Sequence, residues 1–303
     1  MTYGVHYHMS NIAVTGATGF IGAAVVADIT AHGHHVTALT RGANPQPDTV
    51  SIQWHSNTDY ASPAAMTRAI AGTDYVIHLA DDATRNGDHN SEAALAVARA
   101  LSLAMQANGQ KQLIFASSIY ARMGTAYGNK KKVVEDFFLK ETDVEPIILR
   151  LPPVYGPGCG GGFAVLSGLL RRGLPLPFGN ATALRAYISL KNLCALIEHI
   201  VSLELDTWTA AAGQIYEPSD GSAIATNTLA RHIGITLGSP ARLFSVPQSL
   251  LLLAGGLTGK RNAVEAALSP LETTDNGKLQ QILGWHPVEH PPESFGFLTK
   301  DTV

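Results

Sequence analysis

Apolar residues come in short unbroken runs, separated by longer stretches in which they recur at helical spacing. The runs at residues 12–14, 34–40, 50–54, 74–80 and 112–118 predict strands. Residues 74–80 are near-continuously apolar inside, as a parallel strand covered on both faces must be. The stretches at 23–29, 63–71 and 92–107, and one opening near Tyr127, predict helices. Strand and helix therefore alternate through the first half, which predicts an α/β fold around a doubly wound parallel sheet. A later stretch, Gly213-Gln-Ile-Tyr-Glu-Pro218, reads as a strand that returns to that sheet.

The first strand runs into Thr15-Gly16-Ala17-Thr18-Gly19-Phe20-Ile21-Gly22, and a helix follows at once. A strand, a glycine turn and a helix in that order suit a dinucleotide pyrophosphate. The first glycine makes the turn, the second lets backbone approach phosphate, and the third lets helix pack on strand. The helix N-terminus supplies N–H donors and partial positive charge. An ordinary strand-to-helix turn would need only one glycine. At the tip of the second strand stand Thr40 and Arg41, with no acidic residue to bind a ribose 2′-hydroxyl. An arginine there suits a 2′-phosphate, so NADP(H) is favoured and NAD(H) is the alternative. The bland reading of Arg41 is a solvated loop residue.

Composition narrows the field. The chain has 303 residues, 46% hydrophobic, with a net charge of -3 and no basic block beyond Lys130-Lys131-Lys132. That size supports a substantial core, and the charge argues against nucleic acid or an anionic membrane as partner. Two cysteines, Cys159 and Cys194, cannot build a disulfide framework, which together with the lack of a signal peptide points to the cytoplasm. The apolar run at 250–257 is too short to cross a bilayer. None of the twelve histidines has metal-ligand spacing, so no metal is expected. Residues 1–8 read as an extension ahead of the fold, with Met9 the candidate original start.

Chemistry gathers where the fifth strand ends. Ser117 and Ser118 lie at its carboxyl end, where open α/β sheets bind ligands. Turn or capping serines would look the same. Tyr127 and Lys131 follow, four apart on a helical pattern, so both project from one face. An ammonium beside a phenol favours the phenolate, which predicts a lowered pKa for Tyr127 and a role as acid and base.

Taken together, Thr15-Gly16-x-x-Gly19-x-x-Gly22, Ser117-Ser118 and Tyr127-x-x-x-Lys131-x-x-x-Glu135 resemble the extended short-chain dehydrogenase/reductases. More narrowly, they resemble the NAD-dependent epimerase/dehydratase family acting on nucleotide sugars, a family of the Rossmann type. The resemblance runs from about residue 10 to 290, through Leu149-Arg-Leu-Pro-Pro-Val-Tyr-Gly-Pro-Gly158, Arg185-Ala-Tyr-Ile-Ser189 and Leu283-Gly-Trp-His-Pro287. It implies that Tyr127 is the acid/base at the sugar C4, that Lys131 holds the nicotinamide ribose, and that Ser118 bonds the reacting oxygen. Gly16, Thr18, Gly19, Phe20, Ile21, Thr40, Arg41, Leu79, Ala80, Pro152 and Val154 would then line the cofactor. Phe163 and Arg185 would meet a UDP-sugar substrate. Arg185 also has its own case, a five-donor fork suited to a diphosphate, against a surface ion pair. The family often dimerises by pairing the helix at 92–107 with the one bearing Tyr127, which implies a homodimer.

Several positions depart from the family pattern. Lys130 stands where a serine usually precedes the lysine, and only eight residues separate Ser118 from Tyr127. The short interval admits a smaller, non-nucleotide carbonyl substrate. A non-catalytic dinucleotide sensor is the third reading, against which the Tyr127 and Lys131 pair speaks. Residues 10–157 are expected to form the dinucleotide-binding domain, joined by the strand at 213–218. Residues 158–212 and 219–303 are expected to bind substrate.

Overall fold

In the computed structural model, residues 9–43, 46–81, 90–259, 261–272 and 276–299 are described; the extension at 1–8 lies outside them. The five predicted strands become β1 (Asn11–Thr15), β2 (His35–Leu39), β3 (Ile52–His55), β4 (Tyr75–His78) and β5 (Gln112–Ser118), and β6 (Glu145–Leu151) follows them. Between them run α1 (Phe20–Ala31), α2 (Pro63–Ala69), α3 (Ser91–Ala107) and α4 (Ala126–Lys140). All six strands pair parallel, and a seventh, Gln214–Tyr216, adds parallel to β6. The sheet order is the seventh strand, then β6, β5, β4, β1, β2 and β3. This is the expected doubly wound Rossmann-type sheet. The order reverses between β1 and β4, and a ligand crevice opens outside the carboxyl ends of strands at such a switch.

Both faces of the sheet are covered, which explains the strands' unbroken apolar character. Ala13, Val76, Leu113, Phe115 and Ile148 share one buried cluster with Met66, Leu101, Met105, Val134 and Phe138 from α2, α3 and α4. Ile12 and Val14 alternate with Ala13 along β1 and are also fully buried.

The chain divides into two compact units, one of Met1–Leu151, Cys194–Pro218 and Asp275–His286, the other of Pro152–Leu193, Ser219–Thr274 and Pro287–Val303. This partition differs from the expected one. The first unit claims Cys194–Pro218, entered inside the helix Leu190–Val201, and Asp275–His286, where Lys278 Nζ donates to the Ile215 carbonyl at 3.1 Å and the Leu283 carbonyl meets His199 Nε2 at 2.6 Å. The second unit has its own core, in which Tyr155, Phe163, Leu166, Leu229, Ile233 and Phe295 pack together. Beneath that core, buried Asp220 accepts hydrogen bonds from Tyr155 Oη at 2.6 Å, Asn192 Nδ2 at 2.7 Å and the Ser189 N–H at 2.8 Å.

The placement of α4 decides where Tyr127 and Lys131 stand. Thr125 caps it, accepting a hydrogen bond from the Gly128 N–H at 3.0 Å. A Cβ on Gly128 would lie 1.9 Å from the Tyr120 carbonyl oxygen, so only glycine lets the first turn approach this closely. Further along, the Glu135 side chain is 1% exposed and takes a two-pronged ion pair from Arg150 of β6, with Nε–Oε1 at 2.9 Å and Nη2–Oε2 at 2.6 Å. Ser117 Oγ of β5 donates to the same carboxylate. Removing one partner of such a buried pair leaves the other uncompensated. Glu135→Ala is therefore expected to cost about 3–5 kcal/mol of stability, read by urea denaturation, with Glu135→Gln losing less because it still accepts from Ser117.

Candidate active site

The glycine turn after β1 is folded tightly against the start of the segment after β4. Gly16 has φ +71°, where glycine is favoured, and a Cβ there would stand 2.8 Å from the Ala80 backbone nitrogen. A Cβ on Gly22 would fall 2.1 Å from the Gly16 oxygen, so α1 packs directly on the turn. Gly19 is the N-cap of α1 and no side chain caps the helix, nor is there an acidic residue in its first turn. Its leading N–H groups and positive dipole end thus face outward without a side-chain acceptor.

Beside this turn lies a groove of about 720 Å³, lined by Gly16, Thr18, Thr40, Arg41, Leu79 and Ala80 among others. A bare helix start, a glycine turn and an adjacent groove fit a dinucleotide pyrophosphate. Phe20 and Ile21, partly buried, form the first turn of α1. Arg41 donates from Nη2 to the Asp81 backbone oxygen at 3.1 Å, and its guanidinium carbon lies 6.0 Å from the Tyr60 ring centroid. Arg41 is thus an exposed residue of a bend after β2 that these two contacts hold at the groove. Tyr60 itself was not anticipated: it is 3% exposed, donates to the Leu39 carbonyl at 2.7 Å and accepts from the Gly16 N–H at 3.1 Å. Its hydroxyl pins the glycine turn to the end of β2.

The three residues expected to carry chemistry come together. Ser118 is buried, caps the short 3-10 helix Ile119–Arg122 by accepting from the Tyr120 N–H, and shares a hydrogen bond with the Tyr127 hydroxyl. That 3-10 helix fills the first half of the brief interval between Ser118 and Tyr127. Lys131 Nζ donates to the Ala116 carbonyl at 3.1 Å, and the side chain is almost wholly buried.

Asp81 joins this cluster, and sequence reasoning passed it over. Its carboxylate accepts from Lys130 Nζ, stands 3.5 Å from Lys131 Nζ, and hydrogen-bonds the Tyr127 hydroxyl. The consequence reverses the expected sign at Tyr127. Burial first, and the Asp81 carboxylate second, push its phenol above the ordinary tyrosine range, while Ser118 opposes them. Tyr127 therefore sits as a protonated phenol. Lys131 moves the other way, lowered chiefly by burial, with Lys130 adding to the fall and Asp81 opposing it. Asp81 stays ionised: burial raises it, but the two lysines outweigh that and hold it below the usual carboxylate range. His78, bonded to Thr15 Oγ1 at 2.7 Å, is lowered to about 3 by burial and by Lys131, so it is neutral.

The remaining expected residues belong to the second unit. Pro152 and Val154 open it, directly after β6. Phe163 is 7% exposed, with its ring stacked 4.8 Å from that of Tyr155 in the core. Arg185 is 5% exposed, and its Nη1 donates to the Ser269 carbonyl at 2.5 Å. Arg185 is thus an interior residue rather than a surface ion pair, its fork turned to a backbone oxygen of its own unit. Among the described residues, no group of three or more His, Cys, Asp or Glu is placed to hold a metal ion, and no helix is long and apolar enough to cross a membrane.

Comparison with known proteins agrees with this geometry. The sequence pattern of the NAD dependent epimerase/dehydratase family matches residues 12–205. UDP-glucose 4-epimerase of Vibrio cholerae is 29% identical over 317 residues, covering 94% of this chain and 93% of that protein. Ceramide reductase of Caulobacter vibrioides is 27% identical over 304 residues, covering 95% and 90%. Among solved structures, UDP-N-acetylglucosamine 4-epimerase from Bacillus cereus superposes with a TM-score of 0.74 at 18% identity, over 95% of this chain and 98% of that one. The fold, the glycine turn and a match spanning well over half its length place the chain in the NAD-dependent epimerase/dehydratase family, as an enzyme of that type.

Proposed function

We propose that the protein is an NAD(P)-dependent nucleotide-sugar epimerase or 4-keto reductase working at the sugar C4. The observation that carries this reading is the meeting of Tyr127, Ser118 and Lys131 at the carboxyl end of β5. A UDP-sugar is favoured by the likeness to a UDP-glucose 4-epimerase over almost the whole of both chains.

A nicotinamide dinucleotide in the groove supplies hydride chemistry when bound. Tyr127, protonated as its environment dictates, gives its hydroxyl proton to a C4 carbonyl oxygen as that carbon is reduced. Ser118 bonds the same oxygen and steadies the charge that grows there. In the oxidative direction Tyr127 takes the C4 hydroxyl proton, and the buried Lys131 ammonium stabilises the phenolate left behind. The phenol rests in the protonated state that reduction starts from, and its raised pKa makes the phenolate that oxidation needs scarcer, which leans the balance toward reduction. Arg41, held beside the groove by Asp81 and Tyr60, favours NADP(H).

A second reading keeps this machinery and changes the substrate to a small non-nucleotide carbonyl. The 3-10 helix Ile119–Arg122, in place of a longer loop after Ser118, and the likeness to ceramide reductase support it. A homodimer through α3 and α4 belongs to the main proposal, since Leu103 and Val133 present exposed apolar surface there. So does a cytoplasmic site of action, supported by the free thiols Cys159 and Cys194.

Purified protein is expected to turn over UDP-sugars or their 4-keto derivatives, followed by dinucleotide absorbance and product analysis. Tyr127→Phe should lower turnover by about 10²–10⁴-fold while dinucleotide binding, measured by fluorescence titration, persists; unchanged turnover would remove Tyr127 from the chemistry. UDP should raise the melting temperature, whereas no UDP effect alongside reduction of small ketones would favour the second substrate class. Arg41→Ala should weaken NADPH binding roughly tenfold or more, by loss of a charge-assisted bond, and leave NADH binding far less affected.

A further inference from the structure

Lys130 is a second lysine on α4 for which the proposed chemistry has no task. Its side chain is 1% exposed, a depth at which an unpaired ammonium is costly. It meets the Asp81 carboxylate, and its Nζ also lies 5.4 Å from the Tyr127 ring centroid. The same carboxylate reaches Lys131 and the Tyr127 hydroxyl. The Asp81 side chain therefore touches Tyr127, Lys130 and Lys131, and its backbone oxygen holds Arg41.

Among the described residues, the charged side chains that meet at Tyr127 and Asp81 can be counted. Asp81 is negative, Lys130 and Lys131 are positive, and the cluster carries one net positive charge. Arg41 bonds only the Asp81 backbone oxygen and stays outside this count, and the other described polar groups facing Tyr127 add no charge. Ser118 and Tyr120 are neutral hydroxyls, His78 is neutral, and Glu135 is consumed by Arg150. Asp81 and Lys130 thus cancel, and the net charge is that of Lys131 alone. Removing both leaves that charge unchanged, whereas removing either one shifts it by a full unit.

We propose that Asp81 and Lys130 form a neutral positioning pair, its lysine end buried, in which Lys130 holds the Asp81 carboxylate against the Tyr127 hydroxyl while Lys131 stays on its Ala116 anchor. The inference rests on Tyr127 as the proton-transfer group, and it deepens that reading by naming what sets the phenol's state. Loss of Asp81 alone leaves two cations beside the phenol and favours the phenolate. Further loss of Lys130 restores the original balance.

The test uses the full chain labelled with 3-fluorotyrosine and followed by fluorine NMR, the Tyr127 resonance being the one absent from Tyr127→Phe. Asp81→Asn is expected to move the alkaline titration of that resonance down by about one to three pH units. The double variant Asp81→Asn/Lys130→Met is expected to move it back toward the unsubstituted protein. An unchanged titration in Asp81→Asn, or a double variant matching the single, overturns the proposal. Should Asp81→Asn fail to fold while the double variant folds, the cancellation is upheld; failure of both overturns it. No substrate enters the measurement, so absence of nucleotide-sugar turnover would count against the proposed function and leave this result standing.

Discussion

The geometry of the candidate site depends on one buried carboxylate. Glu135 receives both arms of Arg150 and the hydroxyl of Ser117, so α4 is tied at once to β5 and β6. Lys131 lies four residues before Glu135, and Tyr127 eight before it, which places all three along one helical face. Fixing Glu135 therefore fixes where the phenol and the ammonium stand. The first turn is fixed as well, by the contact of Gly128 with the Tyr120 carbonyl. A helix held at two points over two turns has little freedom to slide.

A second feature comes from the depth of these groups. Three cations, Arg150, Lys130 and Lys131, stand near three carboxylates, Glu135, Glu217 and Asp81. Buried ion pairs contribute little net stability, because desolvation offsets attraction, yet breaking one is expensive. Such an arrangement is better understood as geometry enforced by penalty. Each side chain has one orientation that leaves no charge bare, and that orientation gathers Tyr127, Lys131 and Ser118.

Much of this was legible in the sequence, and the reasons differ by element. The strands showed as apolar runs because helices cover the sheet on both sides, and the glycine turn showed because each glycine answers a steric demand at a fixed spacing. Tyr127 and Lys131 showed because both sit on one helix. Asp81 did not, since its partners are some fifty positions away and nothing local in His78-Leu79-Ala80-Asp81 advertises them. The sign of the Tyr127 shift went wrong for the same reason: the sequence supplied the nearby lysine but not the distant carboxylate. Tyr60 was hidden likewise, an aromatic in a loop whose hydroxyl closes on Gly16 only in the fold. The burial of Arg185 escaped notice because a two-residue strand, Leu184–Arg185, has no pattern to read.

The parallel seventh strand carries a cost in time. Gln214–Tyr216 is the neighbour of β6, and β6 holds Arg150. A chain made from its N-terminus finishes β6 on the order of several seconds before its neighbour emerges. Throughout that interval β6 is an open sheet edge, a row of unsatisfied backbone donors and acceptors. During synthesis, the strand that anchors α4 is thus an edge open to pairing with the wrong chain. Its hazard comes from its order in the sheet and not from its composition.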